Sequence, residues 1–264
     1  MKYITDETPQ RFARVDFILF DIDDTITHEG LLEAESFETL WALRNAGIVA
    51  IPVTGRPAGW CDCIARQWPV AGVIGENGAF IMYMQGGKLE RMYNPEAPAL
   101  DTVQERLASL KADILAQFPG ARIAKDQPFR LFDIAFDFAE EAPVLGLDFA
   151  ERLARACEAR GAAAKISSIH VNAWFGSYTK KSMASFVLPT LFGVREEEFD
   201  TRVVFFGDSP NDEPMFSFFP LSCGVANLLN FKEHIRHFPP YRTREPSGRG
   251  FKEGCRYIMN SKKQ

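Results

Sequence analysis

Three short stretches of the chain are apolar at every position, and each stops abruptly at a polar residue. Phe17-Ile18-Leu19-Phe20 ends at Asp21, Ile48 to Val53 ends at Thr54, and Val203-Val204-Phe205-Phe206 ends at Gly207-Asp208. A run of four to six residues with no polar face reads as a strand covered on both sides, as in a parallel sheet layered between helices. Between the first two runs, Leu31 to Asn45 carries an amphipathic helical pattern, and Gly47 supplies a helix stop. Strand, helix, strand in that order is a βαβ unit, and the handedness of such crossovers predicts a doubly wound parallel sheet. Ligands of these sheets gather at the carboxyl ends of the strands, where Asp21, Thr54 and Asp208 fall.

Beyond Val73-Ile74 the turn Gly75-Glu76-Asn77-Gly78 leads into two apolar segments, Ala79 to Met84 and Leu89 to Tyr93. The Gly86-Gly87 pair between them predicts a hairpin. Asn94 to Pro98 reads as a linker, after which the texture changes up to Phe175. Helical patterns over Asp101–Phe118 and Asp148–Arg160 alternate with strand patterns over Arg130–Phe138 and Lys165–Trp174. This is an α+β insert of roughly 80 residues, long enough for a small core of its own. The expected fold is thus α/β: a doubly wound parallel sheet from residues 1–93 and 176–264, with an inserted α+β domain at 94–175.

Composition narrows the function classes. The 264 residues are 46% hydrophobic and 25% charged, ordinary globular usage, and Lys plus Arg (30) against Asp plus Glu (35) gives a net charge of −5. A general nucleic-acid binder would be basic, so no nucleic-acid partner is expected. No apolar run is long enough to cross a bilayer, and Met1 to Gln10, with Asp6 and Glu7, is unlike a secretory signal. The five cysteines (Cys61, Cys63, Cys157, Cys223, Cys255) match no zinc spacing and no disulfide framework. They read as buried small hydrophobes in a reduced, cytoplasmic protein.

The strand ends carry the chemistry. Asp21-Ile22-Asp23-Asp24-Thr25 sets two carboxylates two residues apart. One can attack a phosphoryl group, the other can protonate the leaving oxygen and then activate water, and together they suit a hard divalent cation. Thr54-Gly55-Arg56 offers a hydroxyl and backbone N–H groups for phosphoryl oxygens. Lys180-Lys181 opens an apparent helix, where the macrodipole disfavours positive charge, so a functional ammonium would explain the placement, as would two solvated surface lysines. Gly207-Asp208-Ser209-Pro210-Asn211-Asp212 adds two acids and an amide in a tight loop.

These four elements, in this order, resemble the motifs of the haloacid dehalogenase superfamily. Gly75-Glu76-Asn77-Gly78-Ala79 and the insert resemble its type IIB branch, which includes Cof-type sugar phosphatases, sucrose-phosphate and mannosyl-3-phosphoglycerate phosphatases and phosphomannomutases. The resemblance implies a Rossmann-like core, an α/β cap, Mg²⁺ and an aspartyl-phosphate intermediate. It implies Asp21 as nucleophile and metal ligand, Asp23 as acid/base giving its backbone carbonyl to the metal, and Asp208 as the third protein ligand. Thr54 and Lys181 would bind phosphoryl oxygens, Asn211 and Asp212 would support the site, and Gly55, Arg56 and Asn77 would meet the substrate. Lys180 stays open as the alternative to Lys181, which is favoured because Ala184 and Phe186 then fall at the family's spacing. Asp24 stands where the family often has glycine, and Ser182 where glycine often follows the lysine.

The insert is expected to select the substrate. Alternation puts Ser168, His170 and Asn172 on one strand face, and Asp133 and Asp137 opposite Phe132, Ile134, Phe136 and Phe138. Such polar residues would either bind sugar-like hydroxyls or form an ordinary solvated face. Arg122, Lys125 and Arg130 would meet a second anionic group or simply dot the surface. The leading expectation is a Mg²⁺-dependent phosphatase of a small phosphorylated metabolite, a sugar phosphate first, working as a monomer or weak dimer. A phosphomutase would share the nucleophile and metal site. A phospho-acceptor signalling module would share the residue types, but there the acceptor aspartate ends a later strand and the insert would be unexplained.

Overall fold

The computed structural model describes residues 1–167 and 169–263. The first part of the chain contains β1 (Lys2–Tyr3), β2 (Phe17–Phe20), β3 (Thr27–His28), β4 (Leu31–Leu32), α1 (Ala34–Asn45), β5 (Val49–Pro52), α2 (Ala58–Gln67), β6 (Val73–Gly75), β7 (Phe80–Gln85) and β8 (Lys88–Tyr93). Next come α3 (Leu100–Gln117), β9 (Arg122–Ile123), β10 (Asp133–Asp137), α4 (Leu147–Glu158), β11 (Ala163–Ile166) and β12 (His170–Trp174). The last part holds α5 (Lys180–Phe192), α6 (Phe199–Arg202), β13 (Val203–Gly207), α7 (Glu213–Phe218), β14 (Leu221–Gly224), β15 (Tyr241–Arg242) and α8 (Ser247–Ser261).

The three apolar runs are neighbours. Six strands form one sheet in the order β1-β15-β14-β13-β2-β5, and every pairing in it is parallel. Alternate residues of β2 feed two separate cores. Ile18 and Phe20 pack with Leu40 and Leu43 of α1 and Phe251 of α8, while Phe17 and Leu19 pack with Met183, Val187 and Leu188 of α5. A strand between two helical layers has no room for a polar face, which is why the runs are apolar throughout. At the far edge Val53 bridges Ile74 in parallel, and β6, β7 and β8 continue as an antiparallel meander.

A second sheet, ordered β11-β12-β10-β9, is antiparallel throughout. Its apolar face (Ile134, Phe136, Val171, Ala173) lies in one cluster with Val103, Leu107 and Ile114 of α3 and Leu153 and Cys157 of α4. Cross-strand partners share a face, so Asp133 and Asp137 of β10 stand on the same side as Asn172 and His170 of β12. A solvated face is not what forms. Asp133, Asp137, His170 and Asn172 are 0%, 3%, 4% and 7% exposed, and each is paired: Asp133 with Arg130 and Asn172, Asp137 with Arg122, His170 with Glu140.

Three sequence expectations are corrected by the structure. Leu31 and Leu32 leave the amphipathic stretch to pair with Thr27 and His28, so α1 begins at Ala34. The single strand expected over Lys165–Trp174 is a hairpin, β11 and β12, turned where the Ser167 hydroxyl bonds to the His170 backbone. Serine favours that kind of local bond over strand continuation. Ser168 lies outside the described residues. Cys63 is exposed, whereas the other four cysteines are buried, because on α2 it points away from the side that buries Cys61.

Candidate active site

The register of the six-stranded sheet brings Asp21, Thr54 and Asp208 together. β2 lies between β5 and β13, with Phe20 opposite both Pro52 and Phe206, so the next residues of all three strands converge at one edge. The Asp21 N–H still donates to the Phe206 carbonyl (2.9 Å), which fixes its backbone at the sheet's end. The turn that follows is tight. Asp24 is left-handed (φ 56°), a conformation that Asp tolerates and Gly adopts freely, which accounts for the glycine common there in the resembling motif. Thr27 Oγ1 accepts the Asp24 N–H (3.0 Å), and Asn227 Nδ2 donates to the Asp24 carbonyl (2.9 Å).

Asp21, Asp208 and Asp212 are buried, and one carboxylate oxygen from each lies within 4.8 Å of the others. Lys180 is buried among them, with Nζ 3.1 Å from Asp21 Oδ1 and 2.9 Å from Asp212 Oδ1. Asp212 also accepts the Asp208 N–H through Oδ2 (3.2 Å). Gly207 permits that approach, since a Cβ there would lie 2.5 Å from Asp212 Oδ2. Thr25 Oγ1 donates to Asp208 Oδ1 (3.0 Å). Burial, with Asp212 and Asp23 adding and Lys180 opposing, pushes the Asp21 carboxyl up to about 7. Burial and the Asp212 and Asp21 carboxylates raise Asp208 as well. Burial alone would lower the Lys180 ammonium, but Asp21 and Asp212 overrule it and hold it above the usual lysine range.

The preference for Lys181 over Lys180 is therefore reversed by the structure. The two residues begin α5, about 100° apart around the helix, so only one can point into the acid cluster. Lys181 is exposed, its Nζ 5.3 Å from the centre of the Phe218 ring. The helix start is fixed by Thr179, whose side chain accepts the Ser182 N–H while the Ser182 hydroxyl accepts the Thr179 N–H. Gly78 is left-handed (φ 105°) and lies against Thr179 and Lys180 so closely that a side chain there would displace the start of α5.

The carboxylate of Asp23 stands outside the acid cluster and accepts from Arg56, with Nε at 2.9 and 3.1 Å and Nη2 at 2.6 Å. The Arg56 guanidinium lies 4.2 Å from the centre of the Trp60 ring, so it is held from two sides. Thr54 is buried, and its Oγ1 accepts the Arg56 N–H (3.1 Å). The Asn77 N–H donates to the Thr54 carbonyl (3.1 Å), and Asn77 Oδ1 is 3.2 Å from where a Cβ on Gly55 would be. Asn211 accepts from the Ser209 hydroxyl (2.8 Å).

The second sheet reaches this edge through a chain of polar contacts. Asn172 Nδ2 donates to Asp133 Oδ2 (2.9 Å), Arg130 Nη1 donates to both Asp133 oxygens (3.0 Å each), and the same Nη1 donates to the Gly55 carbonyl (3.1 Å). His170 turns instead to Glu140 (2.7 Å). Arg122, Lys125 and Arg130 each pair with acids of their own segment: Asp137 at 3.0 Å, Glu141 at 2.6 Å, and Asp126 at 2.8 Å together with Asp133. The sequence reading gave no role to Glu76 or Thr25, and for Arg130 offered a second anionic group or the open surface, whereas it is buried between Asp126 and Asp133. Only Glu76 carried a signal, as an acid in a glycine-flanked turn beside a strand end.

Residues 18–116 match the family model described as haloacid dehalogenase-like hydrolase. No curated protein matches the chain. Among solved structures, a Thermoplasma acidophilum protein (0175) aligns with a TM-score of 0.71 at 15% identity, over 92% of this chain and 98% of its own. A haloacid dehalogenase subclass IIB sugar phosphatase aligns with a TM-score of 0.64 at 15% identity, over 92% and 99%. The sucrose-phosphatase of Synechocystis, solved with sucrose and phosphate, aligns with a TM-score of 0.64 at 16% identity, over 93% and 98%. At these identities the structural likeness speaks to the fold.

Proposed function

We propose that the chain is a haloacid dehalogenase-like hydrolase, a phosphatase of small phosphorylated metabolites, sugar phosphates foremost, working through an aspartyl phosphate on Asp21. The observation that carries the reading is a buried lysine shared by Asp21 and Asp212 at the carboxyl edge of the parallel sheet, with Asp208 alongside. Sugar phosphates come first because two proteins of the same fold are named as a sugar phosphatase and a sucrose-phosphatase. Residues 94–175 act as a cap over that edge, on this reading, and 1–93 with 176–264 as the catalytic core.

A carboxylate oxygen of Asp21 attacks phosphorus, and the ester P–O bond breaks. Asp23 gives its proton to the departing oxygen, then takes one from the incoming water. That water oxygen attacks phosphorus, the P–O bond to Asp21 breaks, and phosphate leaves with the carboxylate restored. Lys180 and the Thr54 hydroxyl donate to the phosphoryl oxygens, while Arg56 orients Asp23. Charge neutralisation of this kind is what a loose, anionic transition state needs most. Three hard oxygen donors whose buried charges repel one another suit Mg²⁺, held by Asp21 and Asp208, by the Asp23 backbone carbonyl and with Asp212 in support. Bound there, the ion would neutralise phosphoryl charge as a Lewis acid. Gly55, Arg56 and Asn77 face the rest of the substrate, whereas His170 and Asn172 are buried against Glu140 and Asp133.

The test is phosphate release from a panel of phosphorylated sugars, glycerates and nucleotides with Mg²⁺, with Asp21→Asn as control. The expected result is release that depends on the metal and vanishes in the variant. Absence of release from every substrate, or transfer of the phosphoryl group to another hydroxyl of the sugar, would overturn it.

A further inference from the structure

Glu76 has no part in the phosphoryl chemistry above, yet it is fully buried at the junction of the two sheets. Its Oε1 accepts the N–H of Ala58 (2.9 Å), at the start of α2, and that of Leu131 (2.9 Å). Its Oε2 accepts the N–H groups of Leu131 (3.0 Å), Phe132 (2.5 Å) and Asp133 (3.2 Å). Ala58 opens α2, which packs on the β6–β8 meander, and Leu131 to Asp133 lead into β10. One carboxylate thus joins four backbone donors from two layers. Burial, with the Asp133 charge adding and the Phe132 and Leu131 N–H groups opposing, pushes this carboxyl up to about 8, while the four donors take up nearly all of its acceptor capacity.

The neighbouring contacts are apolar or share the same direction. Phe132 packs with Phe80 (6.3 Å between ring centres), Tyr93 (5.4 Å) and Tyr178 (6.4 Å). Such packing holds the layers together without fixing their angle. Hydrogen bonds fix the angle, and they lie at Glu76, at the Arg130–Gly55 contact and at the Tyr178 hydroxyl, which donates to the Phe132 carbonyl (3.3 Å). Glu76 is also joined through the chain to Asn77, whose N–H grips the Thr54 carbonyl. A single turn therefore holds the second sheet at one residue and the phosphoryl-binding loop at the next.

We propose that Glu76 is a positioning residue: by holding Leu131 to Asp133 it sets where the second sheet, and Arg130 on the Gly55 carbonyl, stand relative to Asp21, and so governs which leaving groups that edge admits. The inference rests on the phosphatase reading for its kinetic part only. Glutamine at 76 would keep one acceptor and turn an amide N–H toward backbone donors, whereas aspartate would keep both oxygens on a shorter stem.

The experiment compares the wild type with Glu76→Gln and Glu76→Asp by residue-resolved hydrogen exchange and by kinetics. The substrates are glucose 6-phosphate and p-nitrophenyl phosphate, whose leaving group offers no sugar hydroxyls. In Glu76→Gln the amides of Leu131, Phe132 and Asp133 are expected to exchange roughly ten- to a hundredfold faster, with β2 still protected. The kcat/KM for the sugar phosphate should fall by about tenfold or more through KM, while the aryl phosphate changes by less than about threefold. Glu76→Asp should fall between. Should Glu76→Gln fail to protect β2, it has unfolded, and Glu76→Asp decides by the same local exchange. Unchanged exchange at 131–133, or an equal loss on both substrates, overturns the proposal. A wild type without turnover on either substrate overturns the phosphatase reading instead, and the exchange data still decide whether Glu76 holds the layers.

Discussion

Lys180 and Lys181 carry the same charge one position apart, and only geometry separates them. Lys180 lies between two buried carboxylates, so its removal leaves both unpaired. Lys180→Ala is expected to destabilise the protein by roughly 3–5 kcal/mol and to slow phosphate release by about 10²- to 10³-fold. Lys181→Ala should change either quantity by no more than about twofold, as exposed substitutions do. Thermal melts and initial rates on the two variants check this, and equal effects would return the role to Lys181. The doublet hid the answer in the sequence because spacing to Ala184 and Phe186 fits a register one residue late, and the Thr179 cap that sets the true start is a side-chain contact. Asp21, Thr54 and Asp208 were legible because each ends an apolar run. Glu76 showed only as an acid in a glycine-flanked turn, since its partners are backbone N–H groups, which carry no sequence signature.

Among the elements, β2, β5 and β13 could be read directly because burial on both faces leaves no other composition. The polar face of β10 and β12 misled, because alternation reports that one face differs from the other and says nothing of what lies against it. The short edge elements are held by side chains rather than by ladder length. β1 pairs with β15 over two residues, and Glu7 supports that pairing by accepting from Lys2 (2.7 Å), the Thr8 N–H (2.9 Å) and the Tyr241 hydroxyl (2.8 Å). The Lys2 ammonium first, then the Thr8 N–H and the Tyr241 hydroxyl, pull the Glu7 carboxyl down to about 2. A depressed carboxyl contributes stability that is present above its unfolded value near 4.5 and is lost as pH falls through about 2. Urea midpoints measured between pH 4.5 and 2 should therefore fall more steeply for the wild type than for Glu7→Gln. Parallel slopes would show that Glu7 does not stabilise this edge.

At the scale of the whole molecule, three carboxylates gathered at one sheet edge make the native state a better cation binder than the unfolded chain. Mg²⁺ at about a hundred times its dissociation constant should raise stability by roughly 2.7 kcal/mol, seen as a higher melting temperature. Asp208→Asn should abolish most of that rise. A rise that survives the substitution would place the ion elsewhere. No described helix is long and apolar enough to cross a membrane.

The strand order also constrains how the chain is made. β2 pairs on one side with β5, which follows it closely, and on the other with β13, which comes from the far end of the sequence. Thr25 and Asp208, in direct contact, are 183 positions apart. During synthesis from the amino terminus, Asp21 emerges long before Lys180 and Asp208, so the first half of the sheet waits with one flank unpaired and Asp21 without its lysine partner. Distant pairings are slow to close. The edge that bears Asp21, Lys180 and Asp208 thus closes only once β13 has been made, long after its first strand.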